Sequence, residues 1–189
     1  MTKSPLTFLL PLLALALPAC DSNKKTLPPL TRTTAPAAAE DGAAVYFSTR
    51  ANCTEVVAGL IRDARTSVKV QAYSFKSDKI AEALVAAKKR GLDVRVIIDA
   101  DKTDKKNEGG YLHRQGVKTY VDSAHDKAHN KVVLIDGRTI VTGSFNFTDE
   151  SGESAADNLV TITDKPKLMA AYDQEFDLHL NHSTPYKDK

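Results

Sequence analysis

The sequence predicts one α/β domain, a mixed β-sheet flanked by helices on both faces. Three observations predict it. Short β-rich runs alternate with helical periods from about Val45 onward, the pattern of a sheet covered by helices. Asp136-Gly137 separates two β-rich runs, which marks an antiparallel hairpin inside that sheet. A last apolar stripe at helical spacing follows Pro166 and closes the domain.

The elements follow in order. Val45-Tyr46-Phe47 is a short strand. Val56, Val57, Leu60, Ile61 and Ala64 recur with helical period. Val68, Val70 and Ala72 alternate with Lys69 and Gln71 as in a strand. Ile80, Leu84 and Val85 define a second helix, stopped by Lys88-Lys89-Arg90-Gly91, cations in the last turn and a glycine after it. Val94 to Ile98 is a buried strand, Gly109 to Gln115 a short helix and Val117 to Val121 a strand. Lys131 to Ile135, Thr139 to Gly143 and Asn158 to Thr163 are strands. The closing helix places Leu168, Tyr172, Phe176 and Leu180 on one face.

The N-terminal region reads differently. Lys3 is the first charge and Asp21 the next, with the apolar run Phe8 to Ala19 between them, too short to span a bilayer comfortably. Residues 1–19 are therefore expected to be an export signal. Leu17-Pro18-Ala19-Cys20 resembles a bacterial lipobox, which makes Cys20 the expected lipidation site and the compartment periplasmic, with the protein tethered to a membrane. Residues 20–43 hold Pro28-Pro29, the threonines 31, 33 and 34 and an Ala-Pro stretch, the composition of a linker. The domain is expected over 44–183 and a short tail over 184–189. With Cys20 lipidated, Cys53 is a lone buried hydrophobe. If Cys20 stays unlipidated, a Cys20–Cys53 disulfide becomes possible in an oxidising compartment. Lys plus Arg number 26 against 24 Asp plus Glu, too small an excess to identify a partner.

Chemistry concentrates around the hairpin. If Asp136-Gly137 is a two-residue turn, Ile135 opposes Arg138, and counting outward sets Lys131 opposite Thr142 and His129 opposite Ser144. His129 and Lys131 share a face, and Asn146 is a diagonal neighbour. This register gathers His129, Lys131, Ser144 and Asn146. Such a cluster suits phosphoryl transfer. An imidazole is a nucleophile or base near neutrality, and the ammonium, hydroxyl and carboxamide can hold phosphate oxygens. Asp136 lies roughly 16 Å from Lys131 along an extended strand, so it is expected to shape the turn rather than act on substrate.

His129-Asn130-Lys131, Asp136 and Gly143-Ser144-Phe145-Asn146 together resemble the active-site motif of the phospholipase D superfamily. The stretch from about Val45 to Leu180 is similar to the small bacterial nucleases of that group, Tyr73-Ser74-Phe75 and Gly143 to Thr148 most of all. The resemblance implies a phospholipase-D-like half-domain and a metal-independent phosphodiesterase. It implies a covalent phosphohistidine at His129, with Lys131 and Asn146 on the phosphate and Ser144 alongside. It implies that an acidic residue orients the histidine: Asp157, in Ala156-Asp157-Asn158, or else Glu153. The mechanism uses two histidines and this chain carries one copy of the motif, so the resemblance implies a homodimer with its site at the interface.

DNA or RNA is the expected substrate, membrane phospholipid the alternative, and an inactive phosphate-binding module the third reading. No amphipathic membrane-binding stretch stands out beyond the signal, which favours nucleic acid. Lys102, Lys105, Lys106, Arg114 and Lys127 are expected to form a basic rim or an ordinary solvated surface, diluted by Asp101, Asp104 and Glu108. No cofactor is expected. No metal site is expected either: His125 and His129, with Asp122 and Asp126 near them, do not converge on a strand. His113, His179 and His182 are expected at the surface of helices or their ends.

Overall fold

The computed structural model describes residues 32–103 and 107–188, with the side chains of residues 152 and 153 excepted. Cys20, Asp104, Lys105, Lys106 and the export signal lie outside the described residues, as does the side chain of Glu153. In chain order the elements are β1 (Ala38–Glu40), β2 (Ala43–Phe47), α1 (Cys53–Asp63), β3 (Ser67–Ala72), β4 (Phe75–Lys76), α2 (Asp78–Lys89) and β5 (Asp93–Asp99). A 3₁₀ turn (Ala100–Lys102), α3 (Gly109–Arg114), β6 (Lys118–Asp122), β7 (Lys131–Ile135), β8 (Thr139–Gly143) and β9 (Phe147–Thr148) follow. The chain continues through α4 (Asp149–Glu153), β10 (Asn158–Thr163), α5 (Pro166–His182) and β11 (Thr184–Pro185).

Nine strands form one sheet in the order β1-β2-β10-β8-β7-β3-β5-β6-β11. β3, β5 and β6 run parallel and the other neighbours antiparallel, so the sheet is mixed. Its two faces are covered separately. On one, α1, α2 and α3 pack Val57, Ile61, Ile80, Leu84 and Leu112 against Val68, Val70, Val96 and Val133. On the other, α5 packs Met169 and Phe176 against Ile97, Val132, Leu134 and Ile140. Two parallel crossovers and their helices explain why the central strands are apolar on both faces.

Local chemistry explains the ends of these elements. Asn52 caps α1 by accepting the Glu55 N–H at 3.1 Å. Arg90, just past α2, donates to the last carbonyls of α1, Ile61 at 3.3 Å and Ala64 at 3.1 Å, which ties the helix pair together. On the opposite face Lys69 reaches Asp173 at 2.8 Å and Asp177 at 3.2 Å and pins α5 to β3.

The structure corrects four expectations. The linker ends before residue 43, because Asp41-Gly42 (φ 45° and 79°) turns the chain so that β1 pairs with β2. The tail expected over 184–189 packs onto the domain: β11 pairs with β6, and Tyr186 is buried. Leu168 is exposed at 46 % and Met169 takes its place in the core, while Tyr172, Phe176 and Leu180 pack on the sheet as the expected face requires. Finally, the hairpin turns over three residues. Ile135 pairs with Thr139, with Asp136 (φ 55°), Gly137 (φ 63°) and Arg138 between them. Arg138 donates to the Ile135 carbonyl as a two-residue turn demands, yet its own carbonyl accepts from Asp164 N on the neighbouring connection instead of pairing within the hairpin. One extra residue in the loop shifts every pairing outward by one.

Candidate functional site

The one-residue shift sets Gly143, not Thr142, beside Lys131, and strict alternation would then turn Ser144 away from His129. Gly143 breaks the alternation. Its φ is +142°, and a Cβ there would lie 2.4 Å from the Asn158 carbonyl oxygen. Only glycine takes that backbone without strain. Past it the segment pairs with a different partner, the short parallel contact of β9 with β4, in which Phe75 lies beside Phe147 and Lys76 beside Thr148. Phe145 and Phe147 point into the core, where Phe75 meets Phe147 edge-on with centroids 6.3 Å apart. Ser144 and Asn146 alternate to the outside.

The functional groups therefore collect at one end of the sheet: beyond β2, β3, β5 and β8, and before β7 and β10. His129 sits just before β7. Its loop is anchored by the buried Asp99, whose carboxylate accepts from Ala128 N at 2.6 Å and Asp101 N at 3.0 Å. The Asn130 carbonyl accepts from Tyr73 N, and the Tyr73 ring lies 4.2 Å from the imidazole by centroids. Lys131 is buried. Its ammonium lies 3.1 Å and 3.4 Å from the two ring nitrogens of His129 and donates to the His129 carbonyl at 2.8 Å. The ammoniums of Lys131 and Lys102 lie 5.0 Å and 4.8 Å from the Tyr73 centroid, so Tyr73 is the aromatic centre of a cationic patch.

Electrostatics favour a neutral imidazole. Desolvation lowers the His129 pKa, and Lys131, Lys127 and Lys102 lower it further against the opposing pull of Asp99. Burial also lowers the Lys131 pKa, opposed by the charge of Asp157.

The second half of the cluster is built around Asp157. The Ser144 hydroxyl donates to the Asp157 carboxylate at 2.8 Å and accepts from Asn158 N at 3.1 Å. Ser48, fully buried, holds the backbone: it accepts from Asp157 N at 2.8 Å and donates to the Ala155 carbonyl at 2.6 Å. Among the described residues Asp157 makes no hydrogen bond to His129. It faces Ser144 and the charge of Lys131, which differs from the expected orienting role. An aspartate arm is one methylene short of a glutamate's reach. Asn146 Oδ1 is buried without a hydrogen-bond partner among the described residues. It lines an open cleft of about 580 Å³ with Ser74, Lys76, Thr148, Ala155 and Asp157.

Asp136 lies at the far end of the hairpin from this cluster. Its carboxylate accepts from the backbone N–H groups of Arg65 (2.8 Å), Thr66 (2.8 Å) and Ser67 (3.0 Å), and from the Thr66 hydroxyl at 2.9 Å. It clamps the turn to the start of β3. Burial pushes its carboxyl up, but these bonds outweigh it and hold the pKa below the usual range.

Sequence reasoning missed three features. Ser48 and Asp99 carried no signal, since a lone serine after a strand and an aspartate ending one are common. The third is a histidine group. Asp122, His125, His179 and His182 converge, and His179 is buried rather than at the surface. Burial pushes the Asp122 carboxyl up, but the bonds from His179, Ala124 N and His182 prevail and hold it at about 2. Spacing within α5 could have shown the His179–His182 pair; the contact with β6 is tertiary. Cys53 is buried, and desolvation with the nearby Asp157 charge pushes its thiol up to about 11.

Comparison with known proteins gives a consistent picture. The sequence model of the family described as "Cardiolipin synthase, PLD-like domain" matches residues 57–180. A phospholipase D from Rickettsia prowazekii is 34% identical over 131 residues, which cover 69% of this chain and 63% of that protein. A mitochondrial cardiolipin hydrolase from Danio rerio is 34% identical over 115 residues, 60% of this chain and 50% of that protein. The chain thus spans less than two thirds of the length of either relative. Among solved structures, the phospholipase D family member Nuc from Salmonella typhimurium is similar with a TM-score of 0.73 and 34% identity, covering 77% of this chain and 98% of that one.

Proposed function

This chain belongs to the phospholipase D-like domain family, and from that premise we propose that it is a metal-independent phosphodiesterase that cleaves nucleic acid through a covalent phosphohistidine on His129. The observation that carries the chemistry is the pairing of an exposed imidazole with a buried ammonium about 3 Å from its ring nitrogens. The lone pair of the neutral imidazole attacks phosphorus and the P–O bond to the leaving oxygen breaks. Lys131 and the Asn146 amide hold the non-bridging oxygens as charge develops. Water then cleaves the P–N bond and frees His129.

The leaving oxygen requires a proton from a general acid. The described histidines besides His129 are engaged elsewhere: His113 stacks against Tyr186, and His125, His179 and His182 surround Asp122. We therefore assign the acid to His129 of a second copy, so that two chains share one site.

The substrate class follows from the cleft. The lining is polar, with Ala155 the one apolar side chain beside Lys76, Asp149, Glu150 and Asp157, and Lys102, Lys127 and Lys131 bring positive charge to His129. Such a surface fits a polar sugar-phosphate backbone better than acyl chains. A membrane phospholipid is the second reading, favoured by the names of the Rickettsia and Danio relatives. Export through residues 1–19 and lipidation of Cys20 complete the proposal and would hold the enzyme at a periplasmic membrane surface.

Purified chain incubated with labelled DNA, RNA and phosphatidylcholine vesicles in excess chelator tests this. Cleavage of DNA or RNA that is absent in His129→Ala supports the proposal; lipid hydrolysis alone selects the second reading. Loss of all turnover in chelator contradicts the metal-free step.

A further inference from the structure

A second cluster at the same end of the sheet plays no part in this chemistry. Asp122 ends β6, His125 lies three residues on, and His179 and His182 occupy one face of the last turn of α5. One donor atom from each of the four lies within 4.8 Å of the other three. All three rings turn a nitrogen to the buried Asp122 carboxylate: His179 Nδ1 at 2.6 Å, His182 Nε2 at 3.2 Å and His125 Nδ1 at 3.4 Å.

The rings also stand in a nearly equilateral triangle, with centroids 5.0, 5.2 and 5.1 Å apart. A tetrahedral ion holding three imidazoles at about 2.0–2.1 Å would set their centroids about 5 Å apart. Hydrogen bonding alone does not demand that arrangement. A carboxylate can accept several hydrogen bonds, as Asp122 also does from Ala124 N, but those bonds do not require the rings to stand equidistant from one another, and that packing is the feature that points to a cation. The distal nitrogen of His179 lies 3.3 Å from Glu175, the outer carboxylate that commonly orients a metal-bound histidine. His125, 47 % exposed in its side chain, leaves a route in from solvent.

We propose that Asp122, His125, His179 and His182 form a closed, four-ligand site for a divalent ion of the zinc class. The donor set of three imidazoles and one carboxylate suits zinc, and four protein ligands leave no open position for chemistry. Binding readjusts the donor atoms by up to about an ångström, since tetrahedral neighbours at such bond lengths lie about 3.4 Å apart: His179 Nδ1 and the Asp122 carboxylate, now 2.6 Å apart, separate, and the wider pairs close. Its effect is mechanical. It ties the end of α5 to β6 and to the start of the 123–130 loop, which carries His129 four residues beyond His125. Chelation then lowers the melting temperature, while turnover well below that temperature persists because the ion does not touch His129.

The test uses the full chain without an affinity tag, stripped with chelator, dialysed against zinc chloride and analysed by elemental mass spectrometry and thermal melting. One zinc per chain and a rise of several degrees in Tm are expected. His182→Ala, with unchanged far-UV circular dichroism, should lose both. Should that variant not fold, the exposed His125→Ala takes its place. X-ray absorption should show four light ligands at about 2.0–2.1 Å with histidine scattering. Substoichiometric zinc in the unmodified chain, or one zinc retained by the variant, overturns the proposal.

Discussion

His129 needs little from its neighbours beyond position and charge, and the surrounding residues supply both. Asp99 fixes its loop through the Ala128 N–H, and three lysines depress its pKa. The neutral, nucleophilic form therefore persists to lower pH than in a free imidazole at about 6.5. The acid limb of kcat/KM should fall below that value. Lys127→Ala removes one depressing charge, so the limb should move up in pH; an unchanged limb would separate Lys127 from the site. His129→Ala should cost at least about a thousandfold in turnover with the fold intact. Lys131→Met should cost about 10²–10³, as loss of one oxyanion donor does. The motif residues were legible because their spacing is short and local. Ser48 and the Asp122 group were not, because each acts across long separations in sequence that a single residue type does not announce.

Two elements hold the site in shape. The first is the turn. Asp136 satisfies three backbone N–H groups and a hydroxyl of the connection into β3. Charged hydrogen bonds contribute about 1.5–3 kcal/mol each and do not add fully, so Asp136→Ala should cost about 2–4 kcal/mol, read from chemical denaturation. Its folded pKa is depressed, so this stabilisation is present above the unfolded value of about 3.9 and fades as pH falls through the folded pKa. The stability gap between the native chain and Asp136→Asn should narrow below about pH 4. The second is the end of β8. Gly143→Ala forces a Cβ against the Asn158 carbonyl in a backbone region closed to alanine, and should cost about 2–4 kcal/mol. The central strands and helices were readable from period alone. The hairpin register was not, because Asp-Gly signals a turn without showing that Arg138 joins it. β1 escaped notice because an alanine-rich strand lacks the β-branched signature; its Asp41-Gly42 turn was the available clue.

At the scale of the molecule, one sheet end gathers the proposed nucleophile, the proposed phosphate clamp and the proposed ion site, while the other end carries the Asp136 clamp. Helices on both faces cover that sheet, and on the proposed mechanism the site is half of what the chemistry needs. Sedimentation of active protein should therefore give a dimer. Mixing with excess His129→Ala should suppress activity beyond simple dilution, because each mixed dimer holds one imidazole where two are required. An active monomer would break this part of the account. The most direct test of the whole remains the intermediate. Enzyme reacted with an oligonucleotide labelled at every phosphate, so that either retained fragment carries label, and quenched at alkaline pH, where a phosphoramidate bond survives, should carry label on the peptide containing His129. His129→Ala should carry none. Turnover of the same oligonucleotide with no labelled peptide, or with label on any residue other than His129, would contradict it.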